Sequence, residues 1–127
     1  MEKELKELFE RAKLASRSAY SPYSGFKVGA ALLTKSGNIY TGCNVENASY
    51  GGTICAERVA VCKAVSEGEK DFIATAIYVQ SKTLFPPCGM CRQFMAEFSD
   101  NMIVVYGNDD SVCQASIKEL LPDSFKL

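Results

Sequence analysis

Three cysteines stand at the predicted starts of two helices, and this pattern constrains the fold more than any other feature of the chain. Cys55 opens one segment of strong helix formers, and Cys88, which lies 33 residues later, opens another that also contains Cys91. Residues three apart share one face of a helix, so Cys88 and Cys91 are expected to point at one atom. A strand between the two helices would return the chain and bring Cys55 to the same point. The fold must therefore place two helix starts side by side.

Predicted helices and strands alternate around this pattern. The predicted helices cover residues 2–19, 53–67, 88–98 and 117–121, and the predicted strands cover residues 26–33, 39–43, 73–80, 101–106 and 111–115. The first helix carries an apolar stripe of Leu5, Leu8, Phe9, Ala12 and Leu14. This alternation favours an α/β fold of three layers, with a central mixed sheet of about five strands between helices. Residues 1–127 have the length of a single domain.

The chain has six cysteines and no histidine, and its net charge is −1. The lack of histidine excludes Ser-His and Cys-His nucleophile pairs, so proton transfer falls to carboxylates, Lys, Tyr or a metal-bound water. The balanced charge argues against a nucleic-acid partner. A charged N-terminus and the lack of an apolar run of about 18 residues predict a cytoplasmic protein without membrane contact. Cysteines stay reduced there, which favours metal ligation over disulfides.

Three thiolates around a zinc ion leave one coordination position open, as in catalytic zinc sites. The three thiolates and Zn²⁺ sum to a charge of −1, so Arg58 is predicted to donate a hydrogen bond to a ligand cysteine and draw off charge. A surface or ion-paired arginine is the alternative. Glu57 is two residues from Cys55 and does not share its helical face, so it is predicted to move protons beside the metal. Its alternative role is an acid in the first helical turn.

The cysteine pattern resembles the zinc-deaminase signature, H-x-E followed by P-C-x-x-C, in which the glutamate carries protons. Cys55-Ala56-Glu57 has cysteine in place of the histidine, which is similar to the short homotetrameric class of cytidine deaminases. The segments 26–31 and 42–47 are similar to that family's nucleoside-binding segments, and the resemblance covers essentially the whole chain. It implies a zinc-dependent hydrolase of pyrimidine salvage, with one Zn²⁺ per subunit, that deaminates cytidine and 2′-deoxycytidine to uridine and 2′-deoxyuridine with release of ammonia.

The resemblance also implies how the nucleoside is held. Phe26 is expected to face the pyrimidine, Asn44 and Glu46 to bind ribose hydroxyls, and the backbone N–H of Ala56 to meet the base carbonyl. A core position is the alternative for Phe26. An Asx turn is the alternative for Asn44.

Residues outside the signature receive less specific predictions. The family's homotetramers share active sites, so Tyr50 and Phe125 are candidates to line the pocket of a neighbouring subunit. Gln93 is expected either to bond a cysteine sulfur or the pyrimidine, or to face solvent. The remaining cysteines have no partner at ligand spacing and are expected to be buried small apolar side chains: Cys43, Cys62 and Cys113.

Two other functions stay open. One is a deaminase of the same fold that acts on an aminopyrimidine antibiotic or another nucleoside. The other is a noncatalytic binding module that zinc stabilises, which a set of four cysteine ligands would favour. Editing of polynucleotides is disfavoured because the chain has no basic run to bind phosphates.

Overall fold

The computed structural model describes residues 2–127, which form a five-stranded sheet between two layers of helices. The strands are β1 (Val28–Thr34), β2 (Ile39–Cys43), β3 (Phe72–Val79), β4 (Ile103–Gly107) and β5 (Val112–Ser116). The helices are α1 (Lys3–Ser16), α2 (Ala56–Ser66), α3 (Gly89–Ala96) and α4 (Ile117–Leu120). The predicted three-layer fold is confirmed. Within residues 2–127, no helix has both the length and the apolar character that crossing a membrane requires.

The sheet is mixed, with the strand order β2-β1-β3-β4-β5. β1 pairs antiparallel with β2 and with β3, and β4 pairs antiparallel with β5. β3 and β4 pair parallel, with Ile77 opposite Tyr106. A parallel pair needs a crossover connection, and the chain makes it through α3. The carboxyl end of β3 therefore leads directly to the start of α3.

Helix α1 covers one face of the sheet with an apolar stripe at helical spacing. Its buried apolar residues pack on small and apolar side chains of β1, β3 and β4: Leu5, Leu8, Phe9 and Ala12. Leu14 was expected in this stripe, and that prediction is wrong because its side chain is 55% exposed. Leu14 is two residues beyond Ala12, which is about 200° around the helix, while Ser16 occupies the next buried position.

Helices α2, α3 and α4 cover the other face around a second core. Gly42 in β2 lets α2 approach the sheet closely, because a Cβ at this position would lie 2.6 Å from both Ala56 O and Ala60 N. A larger residue would push the start of α2 away from the sheet. This close contact therefore sets the distance between the sheet and the start of α2, next to Cys55.

The turn between β1 and β2 is fastened to the segment before β3 by the Glu69 carboxylate. It accepts hydrogen bonds from Tyr40 Oη at 2.6 Å, from Asn38 Nδ2 at 2.9 Å and from the Ser36 hydroxyl. These bonds lower the pKa of Glu69 to about 2, with the Ser36 bond making the largest contribution. Asn44 directly follows β2 at the open end of the β1–β2 hairpin. The bonds to Glu69 anchor the turn at the other end.

The cysteines outside the predicted zinc motif differ from their prediction as buried residues. Cys62 is exposed, while Cys43 and Cys113 are half-buried. On α2 the buried positions are Ala56, Glu57, Ala60, Val61 and Ala64, and Cys62 lies on the opposite side of the helix. The other two cysteines lie on β2 and β5, the edge strands of the sheet, where one side of a strand has no neighbour.

Candidate active site

The sulfur atoms of Cys55, Cys88 and Cys91 lie within 4.8 Å of one another at the carboxyl end of β3. The Cys55 and Cys88 sulfurs are 3.8 Å apart. A tetrahedral zinc ion with Zn–S distances of about 2.3 Å separates its sulfur ligands by about 3.8 Å. The three side chains therefore fit a zinc ion, and the prediction that the two helix starts converge is confirmed.

The topology explains why the two helix starts meet. α2 runs towards the start of β3, so its N-terminus lies near the carboxyl end of that strand, and α3 begins just after the same end. Cys55 and Cys88 are the N-cap residues of α2 and α3. The backbone N–H groups and the positive dipole end of each helix stabilise thiolate over thiol.

Arg58 contacts the cluster as predicted. Its Nη2 donates to the Cys55 sulfur at 3.6 Å and to Thr53 O at 3.3 Å. Its Nε is buried and finds no hydrogen-bond acceptor among residues 2–127. The contact with Cys55 raises the pKa of Arg58 and places a fixed positive charge beside the thiolates.

Contacts within the cluster move the pKa values of Cys55 and Cys91 in opposite directions. A hydrogen bond from Cys91, together with bonds from Arg58 and Cys88, lowers the pKa of Cys55 to about 5 despite burial. Cys91 donates to that thiolate and is buried, so its own pKa is raised. A metal ion that binds all three sulfurs displaces the protons that the thiols carry.

Glu57 lies in the first turn of α2, with only 4% of its surface exposed. Burial raises the pKa of Glu57 to about 7, and the negative charge on Cys55 acts in the same direction. A carboxyl group with a pKa near neutrality exchanges protons efficiently in both directions. The position and the pKa both fit a group that moves protons rather than an ordinary surface acid.

An apolar cleft of about 210 Å³ opens beside the cysteines and Glu57. Its walls combine the ends of β1 and β3 with the segment that precedes α3. The residues that complete the walls are Val28, Asn44, Thr53, Ala56, Ile77, Val79, Phe85, Pro86 and Pro87. Ala56 lines the cleft at the first position of α2, where the backbone N–H has no acceptor within its own helix.

Two phenylalanines form an aromatic pair at the rim of this cleft. The rings of Phe26 and Phe85 are 5.3 Å apart at 72°, an edge-to-face arrangement. Phe26 is 43% exposed, so its side chain is not part of the core. Sequence reasoning missed Phe85, because its place beside Phe26 depends on the pairing of β1 with β3.

Asn44 and Glu46 face different parts of the site. Asn44 lines the metal cleft, and its side chain bonds to Phe26 O at 2.8 Å and to Val28 N at 2.9 Å. Glu46 lies in an adjoining depression with Tyr23, where it accepts bonds from Tyr23 N at 2.9 Å, Ser24 N at 3.0 Å and the Ser24 hydroxyl. Both residues therefore order the segments that enclose the cleft.

The remaining predicted contacts lie on the surface of the chain. Tyr50 is 75% exposed and packs edge-to-face on Tyr23, with ring centroids 5.8 Å apart. Phe125 is 66% exposed, and its carbonyl oxygen accepts a hydrogen bond from Gln93 Nε2 at 3.0 Å. Gln93 thus contacts the C-terminal segment, a partner that neither prediction for it anticipated.

Comparison with known proteins assigns this architecture to a family. Residues 2–107 match the family model described as the cytidine and deoxycytidylate deaminase zinc-binding region. The chain belongs to the cytidine and deoxycytidylate deaminase family. The predicted resemblance is therefore confirmed. The zinc-binding region that defines this deaminase family agrees with the three-cysteine cluster, so zinc is the cofactor.

Individual relatives extend the match over nearly the whole length of this deaminase-family chain. The chain is similar to the cytidine deaminase of Halalkalibacterium halodurans, with 47% identity over 93% of this chain and 91% of the relative. It is similar to a probable cytidine deaminase of Dictyostelium discoideum, with 48% identity over 98% of this chain and 85% of the relative. The crystal structure of cytidine deaminase from Burkholderia pseudomallei superimposes with a TM-score of 0.91 at 45% identity, covering 98% of this chain and all of that one.

Proposed function

We propose that the protein is a zinc-dependent hydrolase that converts cytidine and 2′-deoxycytidine to the corresponding uridines with release of ammonia, and that residues 1–127 form its single catalytic domain. The observation that carries this proposal is a three-cysteine cluster beside a buried glutamate, inside an apolar cleft. The similarity to cytidine deaminases over more than nine-tenths of the chain supports the choice of substrate.

Cys55, Cys88 and Cys91 would hold the zinc ion, which supplies Lewis acidity that activates water at neutral pH. Arg58 donates to the Cys55 sulfur and lowers the negative charge that three thiolates would otherwise impose. The chain offers three sulfur ligands in this cluster, so one position stays open for chemistry. This donor set favours an enzyme over a zinc-stabilised binding module.

Glu57 is proposed as the catalytic residue that moves protons. It accepts a proton from the attacking water and delivers it to N3 of the cytosine ring, while the water oxygen bonds to C4. Glu57 then transfers the hydroxyl proton of the tetrahedral carbon to the amino group, the C4–N bond breaks, and ammonia leaves. Its pKa of about 7 suits both directions of transfer.

The cleft residues are proposed to orient the nucleoside. The exposed face of Phe26 would stack on the pyrimidine, with the Phe85 ring closing the side of the same pocket. The Ala56 N–H is directed at the base carbonyl in this proposal. Asn44 and Glu46 are proposed to bind ribose hydroxyls through the hydrogen-bonding capacity that their loop contacts leave free.

The active protein is proposed to be a homotetramer, because one chain leaves its cleft incompletely covered. Two exposed aromatic side chains, Tyr50 and Phe125, would then line the pocket of a neighbouring subunit. A net charge of −1 supports free nucleosides rather than nucleic acid as substrates. The cytoplasm is the proposed location, because reducing conditions keep the zinc-binding thiols free of disulfides.

The direct test combines metal analysis with a cytidine assay on one purified sample. About one zinc per chain is expected, together with the loss of cytidine absorbance as uridine forms. Zinc without turnover of cytidine or deoxycytidine would favour the binding module or a deaminase of other aminopyrimidines. A protein without zinc would contradict the proposed site itself.

A further inference from the structure

Arg92 makes contacts that the proposed reaction does not use. Its Nε donates to Pro87 O at 2.7 Å, and its Nη1 donates to Leu120 O at 2.9 Å. Its backbone N–H donates to Cys88 O at 3.0 Å. The backbone bond is the ordinary helical one, whereas the Arg92 side chain joins the Pro87 carbonyl just before α3 to the last residue of α4.

The charge of Arg92 opposes the electrostatics of its own helix. Arg92 is the fourth residue of α3, and a positive charge near the N-terminus of a helix is unfavourable. Charge-assisted hydrogen bonds from the half-buried guanidinium to Pro87 O and Leu120 O compensate for this unfavourable position. These two hydrogen bonds therefore explain why an arginine stands in the first turns of α3.

The segment that Arg92 holds has few other means of attachment. Pro86 and Pro87 lack a backbone N–H, so the chain just before Cys88 can be bonded through its backbone only at carbonyl oxygens. Pro87 is buried, and a buried carbonyl without a donor is costly. Cys88 is the N-cap residue of α3, but its sulfur belongs to the metal cluster instead of capping the helix.

We propose that Arg92 is a positioning residue of the metal centre, which keeps Cys88 at ligand distance from Cys55 by tying the start of α3 to α4. The proposal rests on the zinc site of the proposed function and not on the identity of the substrate. The rate at which the folded protein releases zinc should therefore depend on Arg92.

The test measures zinc transfer from the full-length holoprotein to an excess of a coloured chelator. Arg92→Gln should release zinc about 10-fold faster, the size typical for the loss of a group that supports a ligand. Arg92→Lys should release it at an intermediate rate, because an ammonium group cannot span both carbonyls as a guanidinium does. Arg11→Gln, an exposed arginine on α1, is the charge-matched control and should match the wild type.

A second readout follows the ligands themselves. With Co²⁺ in place of zinc, the thiolate-to-metal absorption bands of Arg92→Gln should shift or weaken relative to the wild type. A destabilised control, Val105→Ala, alters the core under α1 on the opposite face of the sheet. Its release rate should stay near that of the wild type, although its Tm falls.

Three results decide between the explanations. Unchanged zinc release and unchanged cobalt bands in Arg92→Gln would overturn the proposal. Equally fast release from Val105→Ala at the same fall in Tm would also overturn it, since Arg92 would then act only through general stability. A wild-type protein that binds no zinc would overturn the zinc site, and the proposed function with it.

Discussion

The side-chain amide of Asn44 donates a hydrogen bond to the carbonyl oxygen of Phe26 at 2.8 Å. The residue proposed to bind the ribose thus holds the residue proposed to stack on the base. The Asn44 amide oxygen accepts from Val28 N at 2.9 Å, so one side chain bonds to the backbone on both sides of Lys27. The base and sugar contacts of the cleft are therefore mechanically linked.

Replacing Asn44 by Ala should weaken both stability and substrate binding. The Phe26 carbonyl and the Val28 N–H lose their partners, which costs about 1–3 kcal/mol of unfolding free energy. The KM for cytidine should rise about 10-fold as Phe26 loses its fixed position. Thermal unfolding and steady-state kinetics measure the two effects, with Asn101→Ala, at an exposed position, as control. A lower Tm with an unchanged KM would show that Asn44 is only structural.

Glu57→Gln should keep the metal and lose nearly all turnover. Gln has almost the same shape but cannot accept a proton, and general acid–base catalysis contributes about 10²–10⁴-fold. Metal analysis should still find about one zinc per chain. Release of the zinc, or cytidine turnover at an undiminished rate, would show that the role proposed for Glu57 is wrong.

Acid should remove the stability that Glu69 contributes. Its pKa is lowered from 4.5 to about 2 in the folded state, so the contribution is complete above pH 4.5 and is lost as the pH falls through 2. The difference in Tm between the wild type and Glu69→Gln should therefore be constant near neutrality and close between these two pH values. Glu67→Gln, two residues away at an exposed position, should show no such closure. A difference that persists at pH 2 would contradict this explanation.

Free nucleosides should be much better substrates than nucleotides or the free base. Hydrogen bonds from Ser24 and Tyr23 lower the pKa of Glu46, so a charged carboxylate would face a 5′-phosphate near the sugar. Cytosine would leave the groups proposed for the ribose without partners in a closed cleft. Values of kcat/KM for cytidine, deoxycytidine, CMP, dCMP and cytosine compare these cases. CMP or cytosine within a few-fold of cytidine would refute the ribose assignment of Asn44 and Glu46.

Mixed oligomers should test whether subunits share active sites. Phe125→Ala keeps its own Glu57, and a Glu57→Gln neighbour would supply the missing Phe125 ring. Two weakly active variants should therefore gain cytidine turnover when they are unfolded and refolded together, relative to each refolded alone. Sedimentation should show a tetramer at assay concentration. A fully active monomer, or mixtures that only average the two activities, would falsify the shared pocket.

The chemical centre was the part of the molecule most accessible from sequence. Helix geometry places Cys88 and Cys91 on one face, and the predicted strand between the two helices returns the chain to Cys55, so the three could be placed together from the sequence. Arg58 lies within one turn of Cys55 and was accessible for the same reason.

Contacts between segments distant in the chain were not accessible in this way. Phe85 reaches Phe26 only after β1 and β3 have paired, and no local pattern records that pairing. The bond of Gln93 to Phe125 O depends on the path of the C-terminal segment. Leu14 is a different kind of error: it is apolar and close to the buried stripe of α1, but it faces solvent.

The metal centre joins Cys55 to Cys88 across the whole of β3, and this gives zinc a role in the folding of the chain. A cross-link that closes a loop of this length, 33 residues, removes conformational freedom from the unfolded ensemble, worth ~4 kcal/mol for a covalent bridge. Zinc differs from a covalent bridge because it binds the folded arrangement of the three sulfurs, so its binding free energy adds to the stability of the folded state. Chelation should therefore lower the free energy of unfolding as well as stop turnover, because one ion serves both the chemistry and the fold.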